Sequence, residues 1–431
     1  MINYFTTYGL EKPTLIQETY CPTKSKNSVL LANTGSGKTL SYLVKLALFL
    51  EENPNETVLI LSPTRELAVQ VYEVLTKLRL PYNSILCYGG HSFKNEKLQF
   101  SQIPQIIVST PGRILDHFER GTEGLNAFTS LIIDEYDKTL EFGFLNELEA
   151  IHRFSKDLVH IQLISATEIE KLPSFLEHIE FETSNYLEEE KPDLQFFQVS
   201  AEENDKLKAL ALLLTTIKSE TTIIFCNHRE ACERISQHLF EFGKENVLFH
   251  GGLEQFDRER ALMKFKNGSV DCLISTDLAS RGLDIPDISH IIHYHFPQSL
   301  EDFTHRNGRT ARMNKSGKIY LIHSEKEPLP DYTSSSKLEK FSLPTDFEDY
   351  SNTSWLTLYL NIGRKQKIRK MDIVGFLTND LKIPFEKIGL IHVADNYSYL
   401  ALDKEHYFAN KNLFQGGLKI KKTNAKINVC R

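Results

Sequence analysis

Two short stretches carry residue types suited to phosphate chemistry. The first is Ala32-Asn-Thr-Gly-Ser-Gly-Lys-Thr39. Gly35 and Gly37 let backbone N–H groups turn toward phosphate oxygens, and a helix starting there adds partial positive charge. Lys38 can reach the β- and γ-phosphates, and the Thr39 hydroxyl can ligate Mg2+. The loop Ala32, Asn33, Thr34, Gly35, Ser36, Gly37, Lys38 and Thr39 is therefore the candidate nucleotide cradle, with Ala32 where the generic pattern has glycine. The second is Leu131-Ile-Ile-Asp-Glu-Tyr-Asp137, which places carboxylates at the end of an apolar strand, where α/β sheets bind ligands. Asp134 is positioned to hold the metal through water together with Thr39, and Glu135 to polarise an attacking water as general base.

These groups need rigid elements behind them. Val29–Ala32, Thr57–Leu61, Ile106–Val108, Leu131–Ile133 and Ile161–Ile164 are short apolar runs that predict buried strands, and Leu40–Leu50 has helical spacing. The alternation predicts a parallel sheet wrapped by helices over residues 1–186. Acidic residues 187–193 interrupt it. The rhythm resumes over 194–324 with Thr222–Phe225, Val270–Ile274, Ile288–Tyr294 and Lys318–Ile322, predicting a second α/β domain. It fails again over 325–353, a Pro- and Ser-containing stretch that reads as a linker or extended arm. From 354 to 431 the expected order is strand Trp355–Leu360, helix Met371–Leu381, strands Ile388–Val393 and Tyr397–Leu402, helix Lys404–Phe414 and strand Leu418–Lys421, a βαββαβ arrangement.

Composition narrows the function. At 431 residues with 41% hydrophobic and 25% charged residues, the chain reads as an ordinary folded protein of several domains. It contains no run near the ~18 apolar residues of a membrane span, so no membrane partner is expected. The N-terminus lacks a basic cluster followed by an apolar core, which predicts a cytoplasmic address. The six cysteines form no C-x-x-C pair and read as reduced structural thiols. Net charge is −7, yet Ser351–Arg431 holds 14 basic and 6 acidic residues, a balance of +8. Five cations fall within Arg364–Lys370, and such a loop calls for an anion.

In order along the chain, these motifs resemble those of the DEAD-box RNA helicases over about residues 5–324. Gly9–Gln17 resembles the motif that reads adenine, which implies ATP as cofactor with Mg2+, and Gln17 as the base-reading amide. Tyr4 and Phe5 are the candidates for the aromatic that the family carries ahead of this motif. Ser62–Ala68, Gly89-Gly90 and Thr110–Arg113 resemble motifs that grip an RNA backbone, implying contacts from Thr64, Arg65, Gly90, Thr110, Pro111, Gly112 and Arg113. Ser165-Ala-Thr167 resembles the motif that couples hydrolysis to RNA. In the second domain the resemblance extends to Ile224–Asn227, His250-Gly251 with Gln255 and Arg258, Ser275–Asp284 and His305–Arg312. It implies RNA contacts from Asn227, Gly251, Gln255, Arg258 and Thr276, nucleotide contacts from Gly282 and Asp284, and arginine fingers at Arg309 and Arg312. Tyr136 replaces the alanine that names the family, and Asn307 and Ala311 replace residues that are commonly Ile and Gly.

The tail resembles the C-terminal RNA-binding domain of the DbpA type over about residues 354–424, carried by Gly363–Arg369, Asp372-Ile and the strand order. It implies RNA contacts from Arg364, Lys365, Lys367 and Arg369, and a structured hairpin of large-subunit ribosomal RNA as partner. The implied fold class is α/β: two tandem RecA-like parallel-sheet domains followed by a small RRM-like α+β domain. The implied activity is ATP-dependent unwinding of short RNA duplexes by a monomer; the alternative is an ATP-gated RNA clamp with little unwinding. Tyr397 and Tyr399 alternate on one strand, where they either present rings to bases or pack in the core.

Overall fold

The computed structural model describes the chain except residues 1, 11, 34, 91, 126, 170–171, 189–192, 203–204, 218–219, 280–287, 312–315, 335–336, 351–352, 417 and 431. Two compact units divide near Pro192.

The first unit is built on a parallel sheet. Its strands are β1 (Asn27–Leu31), β2 (Val58–Leu61), β3 (Ser84–Cys87), β4 (Ile106–Ser109), β5 (Phe128–Ile133), β6 (Ser155–Ser165) and β7 (Glu182–Asn185), in spatial order β3-β4-β2-β5-β6-β1-β7. The central strands are apolar on both faces because helices cover both. Leu30, Ile60, Val108 and Ile132 enter one core layer, and Leu31, Leu59, Ile107 and Ile133 the other. The expected strands lie where their apolar runs put them. Unexpected were β3, too short to stand out, and the edge strand β7, whose Glu-Thr-Ser-Asn is polar and mostly exposed.

The second unit repeats that plan with β8 (Asp193–Ser200), β9 (Thr222–Phe225), β10 (Val247–Phe249), β11 (Cys272–Ser275), β12 (His290–His293), β13 (Ser316–His323) and β14 (Leu338–Lys340), ordered β10-β11-β9-β12-β13-β8-β14. The stretch read as an extended arm supplies β14, which pairs in parallel with Phe196–Gln198 of β8, while Phe341, Leu343 and Tyr350 pack against the core.

The tail forms an antiparallel sheet ordered β16-β17-β15-β20, from β15 (Trp355–Leu360), β16 (Ile388–Val393), β17 (Ser398–Asp403) and β20 (Ile427–Val429). One expectation fails. Leu418–Ile420 is not the sheet's last strand; as β18 it forms a separate hairpin with β19 (Thr423–Ala425). Lys421, at φ 55°, turns the chain, and Ile427 and Val429 then supply the alternation that pairs with Leu360 and Leu358. Lys370–Gly375 is α-helical and continues into a wider π-type turn over Phe376–Asp380. All six cysteines are buried free thiols. No described helix is long and apolar enough to cross a membrane.

Candidate functional site

Strand order sorts the candidate residues of the first unit into two groups. The phosphate loop follows β1, Asp134 follows β5 and the Ser165-Ala-Thr167 turn closes β6, three neighbours in the sheet. Thr64 follows β2, Gly90 follows β3 and Thr110 follows β4, the adjacent trio. A parallel sheet delivers the C-terminal ends of its strands to one edge, so each trio converges there.

In the phosphate loop Gly35 and Gly37 have φ of 88° and 90°, backbone that side chains disfavour. Gly37 is the N-cap of helix Lys38–Glu52 and provides no side-chain cap. The ammonium of Lys38 donates to the carbonyls of Ala32 (2.5 Å) and Asn33 (3.1 Å), and the Ser36 hydroxyl also donates to Asn33 (2.7 Å). Asn33 Nδ2 donates to Leu187 O at 2.9 Å. Thr39 is half-buried in the first helical turn, and Thr34 lies outside the described residues. Gln17 is buried, accepts from Thr14 N at 2.9 Å, and lies so close that a Cβ on Gly37 would stand 2.8 Å from its Nε2. The adenine-reading candidate thus abuts the cradle. Tyr4 and Phe5 do not take the expected stacking role: Phe5 is buried in the core, and the Tyr4 hydroxyl bonds Glu51 near the far end of the helix that Lys38 begins.

Asp134 is 4% exposed; its Oδ1 accepts from Glu135 N at 3.1 Å and its Oδ2 from the Tyr42 hydroxyl at 3.1 Å. Burial, then the neighbouring Glu135, pushes its carboxyl up to about 7, with Lys38 opposing. Glu135 has a left-handed φ of 48°, strain at the strand end of the kind that marks functional residues. Buried adjacent carboxylates form a hard-oxygen donor set, and a divalent cation would relieve their repulsion, so the residues fit Mg2+. Sequence reasoning missed Tyr42, whose apolar-looking place in the helix hides a hydroxyl aimed at the acidic strand end. Tyr136, the bulky replacement for the family's alanine, is accommodated in the core, where it is 1% exposed. Asp137 is left to accept from the Thr167 hydroxyl at 2.9 Å, with Ser165 Oγ donating to Thr167 O at 2.6 Å.

In the second trio the Thr64 hydroxyl caps helix Arg65–Lys77 by accepting from Leu67 N. The Arg65 guanidinium lies over Gly89 and Gly90, where added Cβ atoms would meet it at 3.1 and 3.0 Å. Thr110 occupies the N-cap position of Pro111–Glu119 without a side-chain cap bond, with Gly112 open and exposed beside it. Arg113 Nε donates to the buried Glu96 at 2.7 Å; the same carboxylate contacts His117 Nε2 at 2.7 Å and accepts from Tyr88 N at 3.3 Å. Glu96 thereby ties the glycine turn to the Thr110 helix, and nothing in its helical sequence context announced it.

The second unit sets its candidates on the matching trio: Asn227 after β9, Gly251 after β10 and Thr276 after β11. Gln255 and the buried Arg258 share the next helix, Arg258 donating to Gln255 Oε1. Arg306 is fully buried and donates to both Asp277 oxygens (2.6 and 3.0 Å), to Asn227 Oδ1 (2.9 Å) and to His295 O (2.7 Å). It positions Asn227 while Arg309, also buried, follows it. Asn307 accepts from His293 Nε2 at 2.9 Å, which gives its polar side chain a buried partner. Gly282, Asp284 and Arg312 lie outside the described residues.

In the tail, Arg364, Lys365, Lys367 and Arg369 are all exposed. The sheet face is not. Tyr399 is 1% exposed, Tyr397 donates to Glu259, and the Phe256 ring lies 5.6 Å from Tyr397 and 6.3 Å from Tyr359. Helix Gln255–Lys266 of the same unit covers these rings, so packing wins over presentation to bases.

Comparison with known proteins agrees with this layout. Residues 14–174 match the DEAD/DEAH box helicase model, 205–314 the helicase conserved C-terminal domain, and 357–428 the DbpA RNA binding domain. The ATP-dependent RNA helicases DbpA of Bacillus subtilis and Escherichia coli are 33% and 32% identical, covering 91% and 93% of this chain and 90% of each relative. By fold, the chain resembles S. cerevisiae Dbp5 bound to RNA and ADP BeF3 (TM-score 0.69, 24% identity, 79% of this chain and 92% of that one). It also resembles Mss116 bound to ssRNA and UDP-BeF (TM-score 0.70, 23% identity, 80% and 78%). A glycine-rich phosphate loop, an acidic strand end and a basic tail domain in this order, with these matches, identify the chain as a member of the DbpA-type DEAD-box helicases, an ATP-hydrolysing RNA helicase.

Proposed function

We propose that this helicase acts on ribosomal RNA during large-subunit assembly, as a cytoplasmic monomer whose tail selects the substrate and whose two α/β domains unwind nearby duplex. The domains would span 1–186 and 194–324, joined by 187–193, with 325–353 leading to the tail domain 354–431. The supporting observation is the exposed basic loop Arg364–Arg369 on a tail matching the DbpA RNA binding domain.

In this reading Gln17 reads adenine and residues 32–39 hold the phosphates. Thr39 and Asp134 hold Mg2+, which would neutralise charge on the phosphate oxygens when bound. Glu135 takes the proton of the attacking water, and Arg309 and Arg312 stabilise charge at the transferred group. Gly282 and Asp284 add nucleotide contacts. Thr64, Arg65, Gly90, Thr110, Pro111, Gly112, Arg113, Asn227, Gly251, Gln255, Arg258 and Thr276 grip RNA backbone without reading sequence, so selection falls to Arg364, Lys365, Lys367 and Arg369.

The test is steady-state ATP hydrolysis with ribosomal RNA, with unrelated RNA of matched length, and with neither. Stimulation selective for ribosomal RNA, lost in the variant R364Q/K365Q/K367Q, is the expected result. Equal stimulation by both RNAs would remove the ribosomal assignment. Stimulation without strand displacement would favour the clamp.

A further inference from the structure

The basic loop of the tail is not isolated. Hairpin β18–β19 carries Lys419, Lys421 and Lys422, all exposed, while Ile420 and Ala425 are 1% and 2% exposed in the domain core. Those apolar anchors fix the turn in place. Lys367 of the loop and Lys421 of the hairpin both have left-handed backbone, with φ of 58° and 55°. Each costs about 1 kcal/mol for a non-glycine residue, and strain of this kind collects at functional positions.

The two strained lysines meet. Lys421 Nζ donates to the Lys367 carbonyl at 3.2 Å and pairs with Asp372 at 2.7 Å, while Asp372 also accepts from Arg369 N at 2.7 Å. One carboxylate thus clasps the hairpin turn to the loop. The assembly gathers five cations of Arg364–Lys370 and three of the hairpin against Asp372 and Asp395, the latter 3.5 Å from Arg364. An excess of six positive charges on two clasped loops is self-repelling unless a polyanion lies across them.

We propose that hairpin β18–β19 is a second wall of the tail's RNA site, in which Lys419 and Lys422 hold phosphates of the same RNA that the loop grips. Lys421 is a positioning residue, engaged with Asp372 and Lys367. The inference rests on the RNA-binding reading of loop 364–369 and extends it to residues 54 positions away in sequence.

The experiment is fluorescence anisotropy of the full chain with a fluorescein-labelled RNA stem-loop across a salt series. Loss of two phosphate contacts in K419Q/K422Q should weaken binding roughly 10-fold and flatten the slope of log K against log salt by about 1.4–1.8. The control K387Q/K404Q removes equal charge at the opposite end of the sheet, where Ile388 pairs with Leu402 and Trp355 with Asp403, and should leave the slope unchanged. Equal losses in both variants would overturn the proposal in favour of a net-charge effect. Loss in R364Q/K365Q but not in K419Q/K422Q would overturn the hairpin's role and leave the loop's intact. No loss in either would overturn both.

Discussion

The two parallel sheets have identical strand order, yet among the described residues only the first carries a glycine-rich phosphate loop. After β1 the chain makes the loop Ala32–Thr39, and helix Lys38–Glu52 is capped by Gly37, which leaves its N–H groups to an incoming anion. After β8, at the equivalent position, helix Lys206–Thr216 is capped by Asp205, whose carboxylate accepts from Lys208 N at 3.3 Å. The second sheet already has an anion at that helix end, supplied by its own side chain. After β5 come Asp134 and Glu135; after β12, the matching strand, come Tyr294 and His295. The fold offers the same edge twice, and side chains decide which copy has an open helix end beside an acidic strand end.

The sharpest way to break this contrast is at the acidic strand end. Glu135→Gln should lower RNA-stimulated ATP hydrolysis by on the order of 100-fold or more with ADP affinity retained, since it removes the proton acceptor and keeps the shape. A change under ~10-fold in steady-state turnover would assign the base elsewhere.

Next in size is Tyr42→Phe. Loss of the hydroxyl on Asp134 should reduce the factor by which Mg2+ strengthens ADP binding by about 10-fold, leaving metal-free affinity unchanged. Titration calorimetry with and without Mg2+ reads this directly, and an unchanged factor would make Tyr42 a packing residue only.

A pH test separates the sheets. His160 on β6 of the first sheet and His293 on β12 of the second are each pushed down to about 3, chiefly by burial. Below 6.5 the unfolded chain takes up a proton that these folded sites refuse until about 3, so stability falls on acidification across that window. His293→Gln should remove about 1.4 kcal/mol per pH unit from that slope, and urea unfolding across pH is the measurement. An unaltered slope would mean that His293 protonates in the fold. The smallest effect is expected at Asp205→Ala, a lost cap of about 1 kcal/mol in unfolding experiments with ATP turnover unmoved. A fall in turnover would show that the second sheet's helix end serves the nucleotide after all.

Much of this site was legible because its chemistry is local. The glycines, Lys38 and Thr39 lie within one turn between a strand and a helix, and Asp134-Glu135 ends an apolar run. What stayed hidden depends on partners distant in sequence. Glu96 acquires meaning only beside Arg113 and His117, and Tyr42 only beneath Asp134. The place of the Tyr136 ring in the core, and the choice between packing and presentation at Tyr397 and Tyr399, were decided by neighbours such as Phe256 and Glu259 that lie far away in sequence. In the tail, a left-handed turn at Lys421 diverted the expected last strand into a hairpin, a conformation lysine does not signal.

By itself the sequence determined the two α/β repeats, the nucleotide cradle and the charge excess of the tail, because periodicity, turn chemistry and net charge are properties of short segments. Tertiary structure alone decided that β5, β6 and β1 stand together beside the trio β3, β4 and β2, which separates the phosphate loop and acidic strand end from Thr64, Gly90 and Thr110. It alone brought Lys421 to Lys367. Strand order and loop clasping are set by long-range burial and pairing, free energies that exist only once distant segments have left water together.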